Sequence, residues 1–239
     1  MAEKESKMNS REIIFSKINK ALDKGQQEHR KEIAEARIKF PPKNLIPARG
    51  QGSIEWKVKC FREGAELVST TTEIVTSLNE LPLAITNYLN TNNLPTFVRS
   101  CSNPLLKKVN WKSKPELNVC SGAVQETDQV GMTVAFGGVA ETGTIIVHSG
   151  EDSPTGLNFL PETNIVILPI SRLAGDYETV WNLIRKEIEN FPESTIPRAI
   201  NLVTGPSRTA DIGQQLQLGI HGPRRLHVIL VKETEPIGF

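Results

Sequence analysis

Three glycine-rich loops carry most of the side chains in this sequence that could do chemistry. The first, residues 137–144, reads GGVAETGT. Glycine allows positive φ and a close approach to a ligand, and a carboxylate among small residues could act as a general base, a nucleophile or an acceptor for a hydroxyl. The alternative is a tight hairpin whose glutamate only caps backbone N–H groups. The residues assigned to a site from this loop are Gly138, Glu141 (as a catalytic group), Thr142, Gly143 and Thr144.

The second loop, residues 204–211, reads TGPSRTAD and is predicted to lead from a strand into a helix over residues 207–216. A helix start leaves backbone N–H groups unpaired and carries a positive partial charge. Hydroxyl groups and a guanidinium would add further donors, so the segment suits a carboxylate or a phosphate. A simply capped helix is the alternative. The predicted ligand-binding residues here are Gly205, Ser207, Arg208, Thr209 and Asp211.

The third loop, residues 218–225, holds His221 between glycines. A histidine in a loop, rather than on an apolar face, could be an acid, a base or a ligand donor. His227 alternates into the following strand and is predicted to be a core residue. Arg172 follows another predicted strand and could supply a second positive charge, or form a surface salt bridge.

Composition excludes several classes of protein. The 239 residues are 38% hydrophobic and 23% charged, with no apolar run long enough to span a membrane and no secretory signal. The first 50 residues hold twelve Lys and Arg against seven Asp and Glu, but only Phe15 and Phe40 are aromatic among them and no nucleic-acid motif is present. We therefore expect a cytoplasmic protein that binds no nucleic acid.

The three cysteines, at positions 60, 101 and 120, include no CxxC or CxxH pair. Structural zinc, an iron–sulfur cluster and a disulfide framework all require closer or paired ligands. Buried thiols in a reducing compartment are the simpler interpretation. The sequence thus predicts no metal site and no evident cofactor in this chain.

Hydrophobic periodicity predicts an N-terminal helical arm, residues 1–42, and an α/β domain, residues 43–239. Apolar runs without alternation are typical of strands buried on both faces, so we expect a mostly parallel sheet flanked by helices. Helices are predicted at residues 11–22, 26–39, 77–90, 103–111, 176–191 and 207–216, and strands at residues 66–69, 96–99, 118–120, 130–136, 144–148, 164–169, 199–204 and 226–231.

The motifs AETGT at residues 140–144 and GPSRTADI at residues 205–212 resemble the lactate utilisation protein C family, which carries the LUD domain. The segment GIHGP at residues 219–223 is similar to the same family. The resemblance implies a fold like the superfamily of ribose-phosphate isomerase, glucosamine-phosphate deaminase and CoA-transferases. It also implies a role in bacterial oxidation of L-lactate to pyruvate beside two iron–sulfur subunits, which would hold the redox clusters.

Three hypotheses follow from these observations. In the first, the chain is a non-redox subunit that clamps a small carboxylate or phosphate-bearing ligand with Ser207, Arg208 and Thr209, while Glu141 faces the same pocket and His221 closes it. In the second, it is an acyl or CoA transferase with Glu141 as nucleophile. In the third, it is an assembly protein whose basic arm docks the iron–sulfur partners.

Overall fold

The computed structural model describes residues 9–22, 27–40, 45–190, 197–211 and 214–232. The chain divides into two compact units, Met1–Leu45 and Ile46–Phe239. The boundary predicted between residues 42 and 43 lies outside the described residues.

The first unit contains helix α1, Ser10–Ala21, and helix α2, Gln27–Lys39. Asn9 caps α1: its side chain accepts from the N–H of Glu12, while the Glu12 carboxylate accepts from the N–H of Asn9. This reciprocal pair satisfies two of the backbone donors that every helix start leaves open. No residue of α1 is buried, although the helix carries several large apolar side chains. The two helices confirm those predicted at residues 11–22 and 26–39.

The second unit is an α/β domain, and the bounds of its elements are as follows. The strands are β1 Thr71–Val75, β2 Phe97–Ser100, β3 Asn118–Ser121, β4 Val130–Val134, β5 Gly137–Val139, β6 Thr144–His148, β7 Thr163–Pro169, β8 Leu173–Ala174, β9 Ile200–Val203, β10 Arg208–Thr209, β11 Gln217–Leu218 and β12 Arg225–Val231. The helices are α3 Ile54–Leu67, α4 Leu81–Thr91, α5 Pro104–Lys107, α6 Gly156–Phe159 and α7 Tyr177–Asn190, with 3-10 turns at Ala48–Gly50, Leu78–Glu80, Trp111–Ser113 and Ile170–Arg172.

The central sheet has six strands in the order β1-β12-β7-β4-β2-β3, and every neighbouring pair is parallel. This confirms the predicted fold class, a mostly parallel sheet flanked by helices. A second sheet of four strands has the order β8-β5-β6-β9 and mixed directions. Strands β10 and β11 form a separate antiparallel pair. No helix in the described part of the chain is long and apolar enough to cross a membrane.

The two faces of the central sheet support different cores. Ile165 and Ile167 of β7 join the core that includes α4, while Val166 and Leu168 point to the opposite face. There they pack with α3 and with the second sheet, through residues such as Phe61. Since successive side chains of a strand point to opposite faces, a strand covered on both sides is apolar throughout. That is why the strands read as continuous apolar runs.

Two of the predicted local structures are wrong. Residues 66–69 are the end of helix α3 and the residues after it, and the strand follows at β1. Helix α3 begins at the Ser53 cap and buries only Phe61 and Ala65, so its apolar signal is sparse. The strand predicted over residues 130–136 is present as β4, but the start of the predicted glycine-rich loop, Gly137–Val139, is itself a strand, β5, of the second sheet.

The predicted helix over residues 207–216 is also wrong. Arg208–Thr209 pairs as a strand with Gln217–Leu218, and residues 212 and 213 lie outside the described residues. The backbone of Ser207 is hydrogen-bonded to the third loop on both sides. Its N–H donates to the carbonyl of Pro223, and its carbonyl accepts from the N–H of Gly219. Tertiary pairing has therefore overridden the local helix signal.

Candidate functional site

A pocket of about 280 Å³ lies where the second and third glycine-rich loops meet. Asn164 and Leu226, the second residues of β7 and β12, contribute to it, so the pocket lies at the amino-terminal edge of the central sheet. Open α/β sheets usually bind ligands at the opposite, carboxyl edge. The lining residues are Asn158, Phe159, Asn164, Leu202, Val203, Thr204, Gly205, Pro206, Ser207, Arg208, His221, Gly222, Pro223 and Leu226.

The loop that follows β9 is shaped by Gly205, which has φ +90°. A Cβ atom there would lie 2.8 Å from the carbonyl oxygen of Val68, so this position requires glycine for both its conformation and its space. Ser207 Oγ accepts a hydrogen bond from the N–H of His221 at 3.1 Å. The second and third loops are thereby joined, and the structure brings Gly205, Ser207, Arg208 and His221 together around one pocket.

The sequence predicted a helix start with free backbone N–H groups at this position, but the structure does not provide these donors. The N–H of Ser207 donates to Pro223 and is not free for a ligand. Arg208, in contrast, is exposed and forms no ion pair with any residue that the structure describes. Its guanidinium is therefore the group of the pocket best able to attract an anion.

The remaining predicted residues of this segment lie beside the pocket and do not line it. Thr209 is buried, and its hydroxyl accepts from the N–H of Asp211 at 3.2 Å, while Asp211 is exposed. This pair forms a local turn contact of the kind that threonine side chains commonly make.

Two buried asparagines were missed by the sequence analysis. Asn158 and Asn164 are each 3% exposed and line the pocket. Both polar side-chain atoms of Asn158, and the Oδ1 atom of Asn164, have no hydrogen-bond partner among the described residues. Buried polar atoms nearly always have partners. A signal for Asn164 is present in the sequence, since it is a polar residue in an otherwise apolar strand, but Asn158 gives none.

Four hydroxyls connect the pocket to the first loop. Thr144 Oγ1 lies 2.7 Å from Thr142 Oγ1, 2.9 Å from the hydroxyl of Tyr177 and 2.7 Å from Thr204 Oγ1. Thr142 Oγ1 also lies 3.0 Å from the Tyr177 hydroxyl. Thr204 lines the pocket, whereas Thr144 is fully buried. Thr142 and Thr144 are therefore held by a network of hydroxyl groups, and only Thr204 faces the pocket.

Glu141 forms a second polar centre. Its side chain is 5% exposed, and Oε2 lies 3.6 Å from Nε of Arg49, an ion pair beyond hydrogen-bond distance. The carbonyl of Arg49 accepts from Trp56 Nε1 at 3.0 Å, so its backbone is anchored to α3. The sequence analysis gave Arg49 no role. Glu141 does not line the pocket that contains Arg208.

The segment holding Arg49 is also fixed to the start of α7. Gln51 Nε2 donates to Asp176 Oδ2 at 2.8 Å, and Asp176 caps the helix by accepting from the N–H and the hydroxyl of Thr179. Burial on its own would raise the pKa of Asp176, but these hydrogen bonds outweigh it, and the pKa is lowered. Asp176 thus remains a carboxylate that anchors both elements.

The other residues predicted for the site, Gly138, Gly143 and Arg172, pack against neighbouring parts of the domain. A Cβ atom on Gly138 would lie 2.8 Å from a methyl of Leu168, so this glycine lies in the core. Gly143 has φ +66°, and a Cβ atom there would lie 2.2 Å from the backbone nitrogen of Ala65. Arg172 is half-buried near Glu187; burial raises the pKa of that carboxyl, and the charge of Arg172 opposes the shift.

Metal binding has no support from the arrangement of side chains. The described part of the chain holds no group of three or more His, Cys, Asp or Glu residues placed to share a metal ion. The three cysteines are free thiols, and Cys101 is buried, which raises its pKa.

Fold and pocket together define a class: an α/β domain with a parallel central sheet, a smaller second sheet and a pocket between two glycine-rich loops. The LUD domain family model matches residues 53–231. This chain therefore belongs to the LUD domain family, which confirms the resemblance that its motifs carry.

Curated relatives and a solved structure agree with this assignment. Lactate utilization protein C of Bacillus subtilis is 37% identical over 108 residues, covering 45% of this chain and 44% of that protein. The protein of the same name from Geobacillus kaustophilus is 32% identical over 112 residues, covering 46% of each. The chain spans about half the length of the curated relatives it matches. A DUF162 family protein from Deinococcus radiodurans has the same fold, with a TM-score of 0.58 and 19% identity over 76% of this chain and 99% of that chain.

Proposed function

We propose that this chain is a component of a lactate-utilisation system and binds a small organic anion, a carboxylate or a phosphate ester, in the pocket lined by Ser207, Arg208 and His221. The observation that supports this most is the exposed guanidinium of Arg208 at a 280 Å³ pocket, with no ion-pair partner in the described chain. The names of the relatives supply the metabolic context. Any redox clusters would belong to iron–sulfur partner subunits.

The polar groups have separate parts in this proposal. Arg208 attracts the charge and can hold two oxygens of a carboxylate or phosphate at once. His221 lies on an exposed loop, and its backbone is fixed to Ser207. Its ring can therefore approach a bound anion from the outer side of the pocket, as a hydrogen-bond donor.

A transferase with Glu141 as its nucleophile receives less support. A nucleophilic carboxylate must reach its substrate, and the side chain of Glu141 is 5% exposed and lies against Arg49. The residues around the pocket do not include it.

A role in assembly has one observation in its favour. Helix α1 exposes a set of large apolar side chains that a solvated helix does not need: Ile13, Ile14, Phe15 and Ile18 are 43–56% exposed. Such a face is typical of a surface that another protein covers. The iron–sulfur partners are the occupants that the family context favours, and this role is compatible with an anion pocket in the second unit.

Calorimetry with three probes, L-lactate, pyruvate and inorganic phosphate, tests the anion site. We expect at least one of them to bind, and Arg208→Ala to weaken its binding about tenfold or more, because a charge-assisted contact contributes about 1.5–3 kcal/mol. Arg224→Ala is the matched control, since Arg224 is an exposed arginine of the neighbouring loop that does not line the pocket. Binding of none of the three probes, or equal effects of the two substitutions, would contradict the proposal.

A further inference from the structure

The space in the pocket exceeds what a small anion needs. A water molecule occupies about 30 Å³ of liquid, so a pocket of about 280 Å³ corresponds to roughly nine waters. A three-carbon acid or a phosphate held by Arg208 fills only part of it. The pocket therefore has room for a second portion of a ligand, and the groups around the remaining space would determine the chemistry of that portion.

The unpaired groups at the inner end of the pocket are amides. Asn158 offers a free acceptor, Oδ1, and a free donor, Nδ2, and Asn164 offers a second free acceptor, Oδ1. The amide of Asn164 is oriented by its contact with the backbone carbonyl of Asn158, at 3.4 Å from Nδ2. Because both ends of the Asn158 amide lack partners, exchanging its oxygen and nitrogen would leave the same set of unmet bonds.

The hydroxyl network adds one more acceptor. Thr142, Thr144 and Tyr177 form a ring of three contacts, and Thr204 touches Thr144. Each hydroxyl has one proton to donate. The ring uses the protons of its own three members, so the fourth contact must be donated by Thr204. The oxygen of Thr204 therefore presents only lone pairs to the pocket.

We infer that the pocket takes an organic anion whose uncharged end is a primary carboxamide or a group with the same two N–H donors and one acceptor. This inference rests on the proposed anion site. The two N–H groups would meet Oδ1 of Asn158 and Oδ1 of Asn164, and the carbonyl would accept from Asn158 Nδ2. These three atoms are shielded from solvent, so the amide parts the side chains that cover them as it enters. Groups without donors leave the acceptors unpaired, and such mismatches discriminate strongly between ligands.

A matched pair of probes tests the amide end. Succinamate carries a carboxylate and a carboxamide, while monomethyl succinate has the same charge and a similar size but an ester without N–H groups. We expect the full-length protein to bind succinamate about tenfold or more tightly in calorimetry. Asn158→Leu should remove this preference, because the two N–H groups of succinamate then lose one of their acceptors.

The stability of the same variant gives an independent measurement. Asn158→Leu replaces two unsatisfied buried polar atoms with apolar ones, so its thermal midpoint without ligand should equal or exceed that of the wild type. A lowered midpoint would show that the amide has a structural partner and would overturn the inference. Asn164→Val, which removes one unpaired acceptor and the long contact from Nδ2 to the carbonyl of Asn158, should reduce the preference for succinamate without abolishing it.

The outcomes separate this inference from the proposed function. Equal affinities for the two probes, or a preference that survives Asn158→Leu, overturn the amide end alone. If inorganic phosphate binds through Arg208 and neither succinate derivative binds, the anion site stands and the inference fails. If both derivatives bind but Arg208→Ala changes neither affinity, the proposed anion site itself fails.

Discussion

At the scale of single residues, the sequence identified the polar loop side chains of the candidate site. It did not identify the residues that surround them in the folded chain. Ser207, Arg208 and His221 were found because glycine and proline mark loops, and polar side chains in loops have few structural uses. Asn158 could not be found in this way, because its significance depends on its side chain having no partner among the residues that the structure describes. Arg49 was missed because its contact with Glu141, about ninety positions further along the chain, exists only in the folded structure.

His227 matters for stability but is not part of the site. The sequence predicted that it is a core residue, because it alternates into the last strand. It is 3% exposed and stacks on Tyr88 at a centroid distance of 3.9 Å, and its Nδ1 lies 2.8 Å from Thr71 Oγ1. Nε2 lies 3.8 Å from a carboxylate oxygen of Glu73. Burial lowers the pKa of His227 to about 4 in the folded protein. The unfolded chain, with a pKa near 6.5, therefore takes up a proton first as the pH falls.

The substitution His227→Phe should therefore remove a component of acid destabilisation. In the wild type, this group costs no stability above pH 6.5 and about 3 kcal/mol of unfolding free energy by pH 4, because only the unfolded chain is protonated between these values. Chemical denaturation at a series of pH values should show that component missing in the variant. His29→Phe, an exposed position on α2, is the control and should leave the pH dependence unchanged. A variant with the wild-type pH profile would refute this account of His227.

At the scale of elements, most strands were predictable and the elements that hold the loops were not. Strands β6, β7 and β12 are buried apolar runs whose bounds match the sequence pattern to within a residue. Helix α3 was missed because only two of its residues are buried. Yet α3 and the residues after it support the first and second glycine-rich loops, since Gly143 lies against Ala65 and Gly205 lies against Val68.

Because α3 packs against the loop at Gly143, a substitution of this glycine should lower the free energy of unfolding substantially. The substitution Gly143→Ala places a methyl 2.2 Å from the backbone nitrogen of Ala65, at φ +66°, so the loop or the helix must move. We expect a loss of about 2–4 kcal/mol in unfolding free energy, from overpacking together with backbone strain. Gly150→Ala is the control, since its nearest contact would be 3.9 Å away and its φ is not positive. Equal unfolding free energies for the two variants would show that α3 does not constrain this loop.

At the scale of the whole molecule, the chain consists of two units with different chemistry. The first, Met1–Leu45, has exposed apolar side chains on α1, and the second, Ile46–Phe239, contains both sheets and the pocket. The two-part organisation follows from composition, because the first 50 residues carry an excess of positive charge and no apolar run typical of a buried strand. The split of the second unit into two sheets could not be predicted, since the glycines at 137 and 138 indicated a loop where the structure has strand β5 of the second sheet.

Removing residues 1–42 should therefore separate the two proposed roles. The shortened chain should bind the same anion probe in calorimetry with an affinity within about twofold of the wild type, because every pocket residue lies in the second unit. It should also lose co-purification with the proposed iron–sulfur partners, because the apolar face of α1 is gone. Replacing Ile14 and Ile18 together with serine in the full chain should give the same loss with less disturbance. Normal recovery of the partners with both variants would remove the case for a docking arm.

The position of the anion site is tested most directly by nuclear magnetic resonance of the isotope-labelled chain during titration with inorganic phosphate. We expect saturable shifts of backbone amides that are largest at Gly205, Ser207, Arg208 and Gly222, with much smaller changes at Glu141. Shifts centred on Arg49 and Glu141, or no saturable shift at all, would contradict the placement of the ligand beside Arg208.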